Sequence, residues 1–121
     1  MKDARTERRA AINRVLHDLR RLPCADNVVV FGSMAKGAPD PGDVDIMVTG
    51  SRHRGHALAL AYRHYPLLDV FIDHEGALFV RNCDATGWER SSCAKQMRAS
   101  IREDGRPLSE IKDLSVPGEE S

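Results

Sequence analysis

Asp43 and Asp45 flank a single valine, and Asp69 lies further along with Leu68 and Val70 on either side. If residues 43–49 form a strand, side chains two positions apart share a face, so Asp43 and Asp45 project in the same direction. Carboxylates held that way repel each other unless a cation lies between them. Hard oxygen ligands suit Mg²⁺ or Mn²⁺. An aspartate inside a run as apolar as Leu68-Asp69-Val70 is costly to bury without a partner. Were the two strands adjacent, Asp69 would complete a three-carboxylate cluster. Such a cluster can hold two ions about 4 Å apart, one activating an attacking oxygen and one carrying phosphates. Asp73 shares the predicted face of Asp69 and is its rival as third carboxylate; Asp69 is preferred because apolar residues flank it on both sides.

Gly32 and Ser33 follow the apolar run Val28-Val29-Val30-Phe31, with nine residues between Ser33 and Asp43. Glycine lets a backbone take a positive φ and approach a ligand closely. The turn that follows presents unpaired N–H groups, which attract anions. The Ser33 hydroxyl adds a donor, and Lys36, one turn on, can balance phosphate charge. Taken singly, each motif has a plainer explanation. Asp-x-Asp after Gly42 suits a turn or strand edge, Asp69 a surface-facing strand position, and Gly-Ser a strand-to-helix turn with a serine cap. Together, the Gly-Ser turn, the fixed spacing, the Asp-x-Asp pair and the in-strand aspartate are independent conditions met at once.

The elements that must position these groups are legible from periodicity. Residues 4–22 read as an amphipathic helix, with Ile12, Val15, Leu16, Leu19 and Leu22 at helical spacing and Pro23 as its stop. Val28–Phe31 reads as a strand covered on both faces. Residues 33–37 leave room for one turn, and 38–42 form a loop by composition. In the second strand, 43–49, Val44, Ile46 and Val48 oppose Asp43, Asp45 and Met47. Residues 55–65 fit a helix with Leu58, Ala61, Tyr62 and Tyr65 inward, stopped by Pro66. Strands over 67–73 and 77–81 form a hairpin about His74-Glu75-Gly76. Thr86 and Glu89 have capping-box spacing, which predicts a helix from there to about Asp104, with Cys93, Met97 and Ile101 inward. Gly105 and Pro107 end it, and Leu108, Ile111 and Leu114 dock a last turn. The expected fold is a single α/β (α+β) domain over residues 1–115. It has a small mixed sheet of about four strands flanked by helices, then a disordered tail over 116–121.

Composition narrows the function classes. A formal net charge of zero gives no overall electrostatic case for direct nucleic-acid binding. Cys24, Cys83 and Cys93 are an odd number without CxxC spacing, and His53, His56, His64 and His74 lie in no zinc-type pattern with them. No apolar stretch approaches a membrane span and no leader pattern opens the chain, so a soluble, reduced, cytoplasmic protein is expected. Charge is uneven: residues 1–22 carry seven Lys or Arg against three acids, and residues 103–121 six acids against two bases. These read as solvated helix faces and a frayed end. Trp88 and Tyr62 read as core rather than stacking platforms.

The stretch Gly32-Ser33-x9-Asp43-Val44-Asp45 with Asp69 resembles the DNA polymerase β-type nucleotidyltransferase superfamily, and the short chain its minimal, MNT-type members. The likeness covers residues 28–73. It implies the polymerase β-like fold and roles position by position. Gly32 and Ser33, with Lys36, would hold the phosphates of an NTP. Asp43 and Asp45 would bind two metal ions, Mg²⁺ or Mn²⁺, and Asp69 would ligate the catalytic ion and help deprotonate the acceptor hydroxyl. The implied reaction moves a nucleoside monophosphate, AMP from ATP, onto a hydroxyl and releases pyrophosphate. Minimal members often carry arginine directly after Gly-Ser and a second basic residue two further on. Here Met34 stands first and Lys36 second; Arg52 and Arg54 read as a solvated loop, with substitution for the missing charge as the alternative. The likeness implies a separate HEPN-type toxin as partner, with this chain its antitoxin. Two other expectations stand beside it: a small-molecule (antibiotic) nucleotidyltransferase, for whose usual extra helical domain the chain has no length, and a catalytically weak module that neutralises a partner by contact.

Overall fold

The computed structural model describes residues 3–50, 52, 54–82 and 87–116. Helix α1 (Ala4–Arg20) opens on Asp3, whose side chain accepts from the Thr6 N–H at 2.8 Å, and buries Ile12, Val15, Leu16 and Leu19. A short 3₁₀ turn (Ala25–Asn27) then leads into strand β1 (Val28–Phe31). There follow β2 (Val44–Thr49), α2 (Arg54–Arg63), β3 (Leu68–His74), β4 (Ala77–Asn82), β5 (Gly87–Arg90), α3 (Ala94–Asp104) and β6 (Arg106–Pro107).

The strands form one sheet in the order β5-β4-β3-β2-β1-β6. β2 and β3 run parallel, joined by the α2 crossover, and the other pairs are antiparallel. Strict alternation divides the strands between two faces. Val28, Val30, Val44, Ile46, Val48, Leu68, Val70 and Ile72 pack against α1 and against Ala57 and Ala61 of α2. On the opposite face Phe31, Met47 and Leu78 meet Phe71 and the half-buried Ala94, Met97 and Ile101 of α3. The expected mixed α/β sheet flanked by helices is thus observed, with six strands among the described residues rather than about four.

The two additional strands show where periodicity misleads. Residues 87–90, expected to begin the last helix, instead pair with β4, with Trp88 opposite Arg81 and packed against the core. An aromatic side chain gains more on a half-covered sheet than in an isolated helical turn. Thr86, the other half of the expected capping box, lies outside the described residues. Helix α3 begins at Ala94, and Cys93, expected inward, is its exposed N-cap. β6 is only two residues long and pairs with Val29 and Val30. Tyr62 and Tyr65, expected inward on α2, are exposed by 45% and 61% and flank the Arg81 guanidinium. The small Ala57 and Ala61 bring α2 close to the sheet and leave no space beneath it for a tyrosine ring.

The basic side of α1, expected to be a solvated face, instead grips the segment after the 3₁₀ turn Leu108–Glu110. Asn13 exchanges two hydrogen bonds with the backbone of Leu114, at 2.8 and 2.7 Å. Arg20 pairs with Asp113 at 2.7 Å and donates to the Ile111 carbonyl at 2.9 Å. Basic beginning and acidic end therefore neutralise each other in part. Val116, placed at the head of the expected tail, is buried, and residues 117–121 lie outside the described residues.

Gly105 lets α3 end hard against the sheet. A Cβ there would lie 2.4 Å from the Ile101 carbonyl oxygen and 3.0 Å from Val29. Gly105→Ala is expected to destabilise the fold by about 2 kcal/mol through this overpacking. Urea denaturation checks it, and a loss no larger than that of an exposed-site alanine would contradict the close approach.

Candidate active site

The parallel register of β2 and β3 sets Asp45 directly beside Asp69, and the antiparallel register of β1 sets Phe31 on the other side of Asp45. Both aspartates therefore point to the α3 face of the sheet. Asp43 immediately precedes β2, where the Val44 N–H donates to the Leu67 carbonyl at 2.8 Å and fixes the strand start. The result is one cluster: Asp43, Asp45 and Asp69 each contribute an oxygen, and these oxygens lie within 4.8 Å of one another. All three residues are half-buried.

Burial and mutual repulsion act in the same direction on these groups. Desolvation, then the charges of Asp43 and Asp69 and a hydrogen bond to Asp69, push the Asp45 carboxyl up to about 7. Desolvation and then the Asp69 charge raise Asp43 as well. A cluster that resists full ionisation near neutrality is the donor set a divalent cation relieves, and its all-oxygen composition fits Mg²⁺ or Mn²⁺.

Gly32 faces this cluster. Its φ is +75°, and a Cβ built on it would lie 2.7 Å from Asp45 Oδ2. Only glycine allows both the conformation and the approach. Beyond it the chain makes one tight turn: the Lys36 N–H donates to the Gly32 carbonyl at 3.1 Å, and the Ala38 N–H to that of Ser33 at 3.1 Å. Met34 and Ala35 anchor the turn in the core, exposed by 7% and 3%. The position where a basic residue was expected therefore faces the core, where a charge would be costly.

Gly32 and Ser33 are thus placed at the cluster end of the sheet, and the Lys36 ammonium pairs with Asp104 of α3 at 3.5 Å. The structure brings Asp69, not Asp73, to the other two carboxylates. Asp73 lies four residues on, about 13 Å along the strand, and pairs with Arg98 at 3.1 Å. Arg52 and Arg54 follow the end of β2 opposite Asp43 and Asp45. Sequence reasoning missed Arg5 and Arg9, which reach from α1 to Asp40 in the loop before Asp43, at 2.6 and 3.2 Å. Their i, i+4 spacing was a readable signal of a shared helix face; the loop they hold was not.

The family described as Nucleotidyltransferase domain matches residues 12–109, a span that includes every residue of the cluster and of the Gly-Ser turn. No curated protein and no solved structure matches the chain.

Two outcomes follow from the crowding of Asp45. Gly32→Ala is expected to cost roughly 1–2 kcal/mol for the left-handed backbone alone and to displace the Asp45 carboxylate. Thermal denaturation and Mn²⁺ titration of the variant check both effects, and wild-type behaviour in either would contradict the close approach. The unfolded chain ionises its carboxyls near pH 4, whereas folded Asp45 holds its proton to about pH 7. The folded chain therefore binds more protons in that window, so Asp45 lowers stability as pH rises through it. In EDTA, Asp45→Asn should be more stable than wild type at pH 7.5, with the gap closing towards pH 5; a gap independent of pH would contradict the raised value.

Proposed function

The chain belongs to the polymerase β-like nucleotidyltransferase domain family and is a nucleotidyltransferase, and from that premise we propose that it transfers AMP from ATP to a hydroxyl of a separate protein. The observation that carries this reading is the convergence of Asp43, Asp45 and Asp69 within 4.8 Å, facing the Gly32 turn. In the proposed arrangement the three aspartates hold two divalent ions. When bound, these would supply charge neutralisation for the phosphates and a lower pKa for the attacking hydroxyl.

The chain's own residues do the rest. Gly32 brings backbone close to the triphosphate without a side chain in the way, and Ser33 contributes its hydroxyl and N–H as donors to phosphate oxygens. Lys36 exchanges its pairing with Asp104 for the phosphates. The acceptor oxygen attacks the α-phosphorus, the bond to the β-phosphate oxygen breaks, and pyrophosphate leaves. In this reading Asp69 takes the hydroxyl proton. Positioning and charge neutralisation dominate such a transfer.

The likeness to minimal members supports a HEPN-type toxin as the protein acceptor, with this chain as its antitoxin. A second reading has a specific observation behind it. Met34 is buried and Lys36 is paired with Asp104, so the turn offers little free charge to a triphosphate, which favours a module that neutralises its partner by contact.

Incubation with Mg²⁺, labelled ATP and a HEPN-type partner separates the readings. Label transfer should fall at least about 10²-fold in Asp43→Ala/Asp45→Ala. Transfer that survives would overturn the carboxylate assignment, and neutralisation without any transfer would favour the contact module. Asp69→Asn should abolish turnover while Asp73→Asn retains it; the reverse would show that the wrong third carboxylate has been chosen.

A further inference from the structure

Asp43 sits at the end of a loop, residues 38–42, that contains two prolines, Pro39 and Pro41. Each proline fixes its own φ, so fewer backbone torsions remain to be set where the loop meets α1. Two arginines of α1 tie it to that helix. The Arg9 guanidinium, on α1, donates to the Pro39 carbonyl, to Asp40 Oδ1 at 3.2 Å and, through Nε, to the Ser115 carbonyl at 2.7 Å. Arg5, one turn earlier, adds a bond to the same Asp40 oxygen at 2.6 Å.

Arg9 is not an ordinary surface cation. Its side chain is only 17% exposed, whereas those of Arg5 and Asp40 are 66% and 47% exposed. The planar guanidinium can donate in several fixed directions at once, which an ammonium cannot reproduce. It joins three segments distant in sequence: α1, the loop before Asp43, and the strap at residues 113–116. The carboxylates repel each other, so the loop position that brings Asp43 to Asp45 and Asp69 is not favoured by the carboxylates themselves in the absence of a cation.

We propose that Arg9 is a positioning residue for the divalent-cation site: it clamps loop 38–42 to α1 and so pre-sets Asp43 against Asp45 and Asp69. The proposal rests on the reading of those three carboxylates as a metal site. It does not depend on the acceptor or on ATP. Outer-shell partners that orient a ligand are worth about tenfold or more in metal affinity.

The plain competing role for Arg9 is a staple between α1 and the strap. Asn13 supplies the control, because it staples the same strap at Leu114 through two bonds and does not touch the loop. Mn²⁺ affinity of the full chain is measured by calorimetry, alongside thermal stability. Arg9→Ala should weaken Mn²⁺ binding about tenfold, and Asp40→Ala should weaken it in the same direction, whereas Asn13→Ala should lower stability and leave affinity at the wild-type value. Equal shifts in Arg9→Ala and Asn13→Ala, or no shift in Arg9→Ala, would overturn the proposal. If Arg9→Ala fails to fold, exposed Asp40 decides: wild-type affinity in Asp40→Ala overturns it. Asp43→Ala distinguishes the two layers. Loss of binding there with wild-type affinity in Arg9→Ala rejects only the clamp, and wild-type affinity in Asp43→Ala rejects the metal site and the clamp together.

Discussion

Asp45 and Asp69 lie side by side because β2 and β3 pair in parallel and in register, and this juxtaposition of like charges is the constraint around which the molecule is built. Two half-buried carboxylates with a third close by oppose folding at neutral pH. A sheet can hold them there only if the register is fixed by something stronger. A slip of one residue would turn every apolar side chain of β2 and β3 to the wrong face. Val44, Ile46, Val48, Leu68, Val70 and Ile72 are all essentially buried against α1 and α2, so the hydrophobic face pins the register that the acidic face would otherwise resist. One strand thus carries both the energy that fixes the geometry and the charges that use it.

The surrounding devices act on the same few ångströms. The absence of a side chain at Gly32 leaves space for Asp45 Oδ2, and Met34 and Ala35 fasten the turn beyond it into the core. Phe31, Met47 and Phe71 wall the acidic row on its own face, with the Phe31 and Phe71 ring centroids 5.5 Å apart. That apolar wall desolvates Asp45 and raises its pKa, so full ionisation of the cluster is costly without a nearby positive charge. Arg98 holds Asp73 at the other end of β3 and ties α3 to the β3–β4 turn through the Gly76 carbonyl. The two acidic ends of β3 thereby have different fates, one paired internally and one left to the cluster.

Much of this was legible in the sequence because it depends on local alternation. The period-two pattern read over 43–49 and 67–73 assigns the same buried faces as the observed strands, and hence a shared direction to Asp45 and Asp69. The outer strands were not legible, because β5 and β6 exist only through pairing with distant partners, and no short periodicity announces a two-residue strand such as Arg106–Pro107. Tyr62 and Tyr65 were misplaced because helical spacing alone cannot tell which hydrophobic residues a helix buries; Ala57 and Ala61 take the contact instead. The charge asymmetry was visible, but its meaning needed the third dimension, in which Arg20 meets Asp113 and Arg9 meets the loop. The ion pair of Lys36 with Asp104 joins residues too far apart in sequence for any short-range pattern to announce it.

The central claim is that Asp43, Asp45 and Asp69 form one divalent-cation site whose empty state is electrostatically strained. Carboxyl-carbon NMR of Asp45, titrated with and without Mg²⁺, tests it most directly. The account predicts that Asp45 titrates near pH 7 without metal and that saturating Mg²⁺ moves its titration down to the ordinary carboxylate range or below. An Asp45 that titrates near 4 in both conditions would contradict the strained cluster and the cation site together.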